Sequence, residues 1–122
     1  MNSLIQQLNC SSLDSNEGDV QIINYNSDYE ITNILYTYKK ILIQSPVIKE
    51  WFEKVDFYGD YIEINDYLSL YNKSDDYSYS LVIQANNDYY YLIRDIIDYL
   101  KGKRVMNYSE QLLHHLYLLQ VI

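Results

Sequence analysis

A single cysteine, Cys10, gives the chain no partner for an internal disulfide and fits a reducing compartment. One proline, Pro46, and three glycines are too few for a long disordered linker or a low-complexity tail. No stretch approaches the roughly 20 consecutive apolar residues that cross a bilayer. No apolar signal segment opens the chain either, so the Asn-x-Ser sites at Asn9, Asn72 and Asn107 are expected to stay unused. Basic residues are scarce: nine Lys and Arg stand against 17 Asp and Glu, a net charge of −8. That balance argues against nucleic acid, whose phosphates require clustered Lys and Arg, and it repels an anionic membrane. The expected setting is intracellular, cytoplasmic or nuclear, with no nucleic-acid or membrane partner.

The means of catalysis are equally thin. His114 and His115 are the only histidines, and adjacent helical positions point about 100° apart, so the two cannot share a metal on one helix face. Cys10 has no histidine near it in sequence to activate a thiolate. Gly18, Gly59 and Gly102 are isolated and form no phosphate-cradling loop. Carboxylates are many but scattered, as on a solvated acidic surface. No catalytic residue, metal site or cofactor is expected, and a small α/β enzyme with its site in a tyrosine-rich insertion is the third-ranked alternative.

What is present fits one domain: 122 residues can bury roughly two-thirds of their unfolded surface without disulfides or metals. Sixteen tyrosines stand against two phenylalanines, beside abundant Asn, Ile, Lys and Asp. These residues share A/T-rich codons, and genomic bias accounts for them without any tyrosine chemistry.

In chain order, Leu4, Ile5 and Leu8 recur at helical spacing, predicting a short helix within residues 1–13. So short a helix must pack on its own domain or on another chain. Residues 19–24 and 30–36 are β-prone and flank Asn26-Ser27-Asp28, which predicts a hairpin. Ser45-Pro46 is a helix entry, with serine as cap and proline at the first position. Behind it Ile48, Trp51, Phe52 and Val55 share one face. Residues 56–80 read as an inserted tyrosine-rich arm. Two strands compete within reach of it, residues 61–64 and residues 81–84, and the second is favoured because the next helix follows it closely. Tyr89, Leu92, Ile93, Ile96, Ile97 and Leu100 keep the helical period up to a stop at Gly102. Asn107 with Glu110 suggests a capping box for a last helix carrying Leu112, Leu113, Leu116 and Leu119. The apolar end at Val121-Ile122 suggests either a longer parent protein or a terminus tucked into the core.

The segment from Tyr38 to Phe52, Tyr-Lys-Lys-Ile-Leu-Ile-Gln-Ser-Pro-Val-Ile-Lys-Glu-Trp-Phe, resembles the central helical hairpin of BTB/POZ domains. The family phrase is close to His-Lys-x-Val-Leu-Ala-x-x-Ser-x-x-Phe-x-x-Met-Phe. Here Tyr38 stands for the His, Ile48 for the first Phe and Trp51 for the Met. Ile96-Ile97-Asp98-Tyr99-Leu100-Lys101-Gly102 is similar to a second family phrase, and the resemblance covers residues 4–55 and 81–120 in order. It implies an α+β fold in which a small, mainly three-stranded sheet packs against about five helices.

The resemblance further implies a non-catalytic interaction domain that forms homodimers, with Leu4, Ile5 and Leu8 meeting Tyr38, Ile41 and Leu42 of a second copy. It implies a partly buried charged pair between Asp19 and Lys39. It also implies a partner surface of Trp51, Val55, Phe57 and Tyr58 for a cullin-3-type ubiquitin ligase. The family's apolar-x-Glu motif has its nearest approach at Tyr58-Gly59-Asp60, with Asp in place of Glu. A monomeric adaptor of the Skp1 or elongin-C kind is the alternative. The residue bias is similar to that of BTB proteins from large DNA viruses and other A/T-rich genomes.

Overall fold

The computed structural model describes residues 18–72, 78–84, 87–103, 105 and 108–122. The helix expected within residues 1–13 lies outside them. The first described elements are β1 (Val20–Tyr25) and β2 (Ile31–Thr37), paired antiparallel. The turn between them is built by Asn26, whose Oδ1 accepts from the N–H groups of Asp28 (2.8 Å) and Glu30 (3.0 Å). A side chain that mimics a backbone turn in this way is the reason asparagine favours such positions. The expected hairpin is present.

Next come α1 (Lys39–Leu42) and α2 (Pro46–Tyr58), joined at Ser45. Ser45 caps α2 by accepting from Ile48 N–H at 3.1 Å, with Pro46 in the first turn, as the sequence predicts. Then follow β3 (Tyr61–Asn65), β4 (Leu68–Asn72), β5 (Tyr79–Gln84), α3 (Asn87–Leu100) and α4 (Glu110–Leu118).

The strand order is β2-β1-β5-β4-β3, with β1 parallel to β5 and every other neighbour antiparallel. This corrects the three-stranded sheet. Both competing stretches, residues 61–64 and 81–84, are strands of one five-stranded sheet, and among the described residues there are four helices rather than about five. The cause is legible in β3 and β4. Ile62 and Ile64 alternate with polar neighbours, as do Leu68 and Leu70, so each strand carries an apolar face that an arm standing off in water would leave wet. Pairing on β5 carries that face to the helices, where Leu68 and Leu70 are buried. Of the expected arm, Asp56–Tyr58 instead completes α2.

The core lies on one side of the sheet. Val20, Ile22, Leu70, Leu81 and Ile83 point to it and meet Phe52 and Val55 of α2, Ile96 and Ile97 of α3, and Leu112 and Leu116 of α4. Within it lies a small cavity of about 30 Å³ lined only by apolar side chains, among them Trp51, Phe52, Ile93 and Leu119. Because side chains alternate, the other face carries Ile23, Tyr25, Ile34, Tyr36, Val82, Tyr61 and Tyr71, none of which belongs to the core.

Helix α3 buries Tyr90 as well as Leu92, Ile96, Ile97 and Leu100, whereas Tyr89 and Ile93 are only half-buried. It ends at Gly102 (φ 81°), with Lys103 N–H returning to Asp98 O at 2.9 Å. The cap of α4 is Ser109, accepting from Leu112 N–H at 3.1 Å. Asn107, expected in that role, lies outside the described residues. No helix among the described residues is long and apolar enough to cross a membrane.

Candidate functional site

Two arrangements of chemistry-bearing side chains stand out, and α2 supplies both. The first is aromatic. Ile48, Phe52 and Val55 turn inward along the helix, so its last turn directs Phe57 and Tyr58 to solvent. Gly59 stops the helix in the left-handed region (φ 90°), its N–H bonded to Val55 O at 2.8 Å. Phe57 is 84 % exposed and Tyr58 67 %, and the two rings meet edge to face with centroids 5.3 Å apart. Two residues past Gly59 the chain enters β3 at Tyr61, which stacks on its cross-strand partner Tyr71 at 5.0 Å. These four aromatic side chains follow one continuous stretch of α2, turn and hairpin. Water wets all four.

Of the expected partner surface, Phe57 and Tyr58 are therefore available, and Trp51 is half-buried against the core. Val55 is not available: it is fully buried, because the helical period that places Phe52 in the core places Val55 there too. The expected dimer surface is likewise divided. Leu42 is 3 % exposed and belongs to the core, Ile41 packs against that core, and Tyr38 is exposed. Leu4, Ile5 and Leu8 lie outside the described residues.

The second arrangement is polar. Asp19 and Lys39 do meet, but not charge to charge: Asp19 Oδ1 accepts from the backbone N–H of Lys39 at 2.8 Å. It thereby satisfies an orphan donor at the start of α1, where Tyr38 offers no side-chain cap. The Lys39 ammonium turns elsewhere. It donates to Tyr79 Oη at 3.2 Å, lies 3.6 Å from Asp56 Oδ2, and sits 5.4 and 5.0 Å from the ring centres of Phe52 and Tyr79. Tyr79 Oη in turn donates to Asp56 Oδ1 at 2.7 Å.

Burial pushes the Tyr79 phenol up from its ordinary value, and its bond to Asp56 adds to this, against the opposing Lys39 charge. Burial pulls the Lys39 ammonium down, but its interactions with Tyr79 and Asp56 outweigh that and raise it. A protonated phenol held between an ammonium and a carboxylate is neither nucleophile nor base at neutral pH. The network ties α1, α2 and β5 together.

Sequence reasoning missed Asp56 and Tyr79 as the ammonium's partners. The inward position of Tyr79 is visible in the alternation Tyr79-Leu81-Ile83, but its hydroxyl partners belong to distant elements. A third polar contact, also missed, is the fully buried Asn24, whose Nδ2 donates to Thr32 Oγ1 (2.9 Å) and Asn87 Oδ1 (3.2 Å), joining β1 to the start of α3. His114 and His115 lie edge to face on α4, and His115 Nδ1 is 2.9 Å from Gln111 O. No group of three or more His, Cys, Asp or Glu among the described residues could hold a metal ion.

The class defined by these features is a mixed-sheet α+β domain whose distinctive surface is aromatic. No protein-family model matches this chain, and no curated protein or solved structure matches it.

Proposed function

We propose that this chain is a non-catalytic protein–protein interaction domain of the BTB/POZ kind, which associates with a second copy of itself and presents the end of α2 to a different protein. The observation that carries this reading is the exposure of Phe57 and Tyr58 at 84 % and 67 %, side by side at the end of α2, with the Tyr61–Tyr71 stack following in the chain just past Gly59. Exposed aromatic side chains in a cluster are the usual anchors of protein interfaces, being large, rigid and rich in contact area. The order hairpin, Lys39 helix, Ser-capped helix and, after β3 and β4, the strand β5 with its helix pair supports the BTB/POZ resemblance.

A cullin-3-type scaffold is the heterologous partner this reading names. The test is recovery of cullin-3 on the immobilised domain: Phe57→Ala and Tyr58→Ala should each cut recovery severalfold with the melting temperature unchanged, since both side chains are exposed. Equal recovery by the double variant would remove the α2 end as the docking surface. Self-association is read separately, as a mass near twice 14.6 kDa in light scattering. The monomeric adaptor reading, of the Skp1 or elongin-C kind, has one observation in its favour: Leu42 is spent on the chain's own core.

A further inference from the structure

The face of the sheet turned away from the helices lends Tyr61 and Tyr71 to the aromatic cluster at one edge, but its β1, β2 and β5 positions take no part in that cluster. Its outward positions carry Ile34, Ile23 and Val82 in a row across β2, β1 and β5, which continues to Ser69 on β4 and Glu63 on β3, while Tyr71 lies in the next row, opposite Ser80. Ile34 is 41 % and Tyr71 40 % exposed. The charge on this face is unusual for the chain: at the outward positions of all five strands Glu63 is the one ionised side chain among the described residues, in a protein of net charge −8.

We infer that a second copy of this chain packs on that face, sheet to sheet, about a twofold axis near Ile23, Ile34 and Val82. The inference rests on the self-association in the proposed function and relocates its surface. Three considerations select a second copy. Two bodies of charge −8 repel, and the near-neutral face is where they approach at least cost. An isologous contact sets each apolar row against its own image, so the face is complementary to itself. The area also suffices. Five strands about 4.8 Å apart and about six residues long give a face of roughly 24 by 20 Å. Two such faces bury about 1,000 Å² together, at the lower bound of a specific interface. Sheets so stacked lie about 10 Å apart with strands within about 30° of one another. A contact of that size dissociates on dilution, and because repulsion opposes it, added salt strengthens it.

Sedimentation over about a hundred-fold dilution series tests this, with circular dichroism to establish that each variant is folded. Wild type should pass from dimer to monomer, with the midpoint moving to lower concentration at high salt. Ile34→Asp, at an exposed position, should move the midpoint at least tenfold towards monomer, and Ile34→Ala less, whereas Leu118→Asp on α4 should leave it in place. A dimer unaffected by Ile34→Asp but lost when Leu4, Ile5 and Leu8 are made polar would overturn the sheet-face contact and leave self-association standing. A monomer at every concentration would overturn both. A monomer that dimerises once residues 1–17 are removed would identify that segment as the occupant of the face and overturn the second copy.

Discussion

Ser45 does two jobs with one oxygen. It accepts from Ile48 N–H to cap α2, and it donates to Leu119 O at 2.6 Å, pinning the end of α4 to the start of α2. Ser45→Ala removes a cap worth about 1 kcal/mol and orphans a carbonyl, a further loss of about 1–3 kcal/mol. Ser109, whose hydroxyl caps α4 by accepting from Leu112 N–H, makes the natural control, and Ser109→Ala should cost about 1 kcal/mol. Urea unfolding of the two variants checks the difference; equal losses would show that the Leu119 bond contributes nothing. The capping role of Ser45 is legible in Ser-Pro, because a cap is local. Its bond to Leu119, like the partners of Lys39, is not, because it joins residues far apart in the chain. The same limit explains Asp19. A carboxylate and an ammonium in matching places suggest an ion pair, and only the path of the chain brings the Lys39 amide, not its ammonium, to that carboxylate.

At the same scale lies the alkaline limit. The Tyr79, Tyr90 and Lys39 values are all raised: the two phenols chiefly by burial, the ammonium by Tyr79 and Asp56 in spite of burial. For a raised group the folded chain keeps a proton that the unfolded chain has begun to release. The stability each contributes is therefore complete below about pH 10, where unfolded Tyr and Lys titrate, and is lost as pH rises through the folded values. The melting temperature should fall above about pH 10, and fall less steeply in Tyr79→Phe, which has no phenol proton at that position to lose. An identical alkaline slope in the variant would show that Tyr79 carries none of the effect.

Elements were the most legible level, since periodicity and caps are written locally. The first hairpin, α2, α3 and the strand after residue 78 stand where alternation and helical spacing put them. The number of strands was not legible. Tyr61-Ile62-Glu63-Ile64 announces a strand but says nothing of which edge receives it, and that edge is offered by β4, itself paired on β5, which β1 holds in turn. Gly18 shows how tightly that neighbourhood is drawn. At φ 149° it lies so close to β2 that an added Cβ would stand 1.9 Å from the Thr37 carbonyl oxygen. Gly59, at φ 90°, has nothing within 4 Å of the same construction. Gly59→Ala should therefore cost only the backbone preference, about 1 kcal/mol. Gly18→Ala should cost severalfold more, because β1 and β2 must separate to admit the methyl group. Thermal melts of the pair decide this, and a mild Gly18→Ala would mean the β1 entry yields easily.

At the scale of the molecule, the described residues divide the surface by chemistry: a near-neutral sheet face and an aromatic helix end, in a chain of net charge −8. Composition revealed the acidity but could not say where it thins, because that depends on which strands lie side by side. The sheet also has a seam. β1 with β2, and β3 with β4 and β5, are each wired by neighbours in sequence, while the β1–β5 ladder joins residues about sixty positions apart. Closing a loop of that length is slow relative to forming either hairpin. The two halves can thus assemble independently, and their union sets the pace of folding. Until the seam closes, each half exposes an unpaired strand edge. A newly made chain is therefore most exposed to wrong partners while β1 waits for β5, and any device that hastens that meeting protects the fold without adding to its final stability.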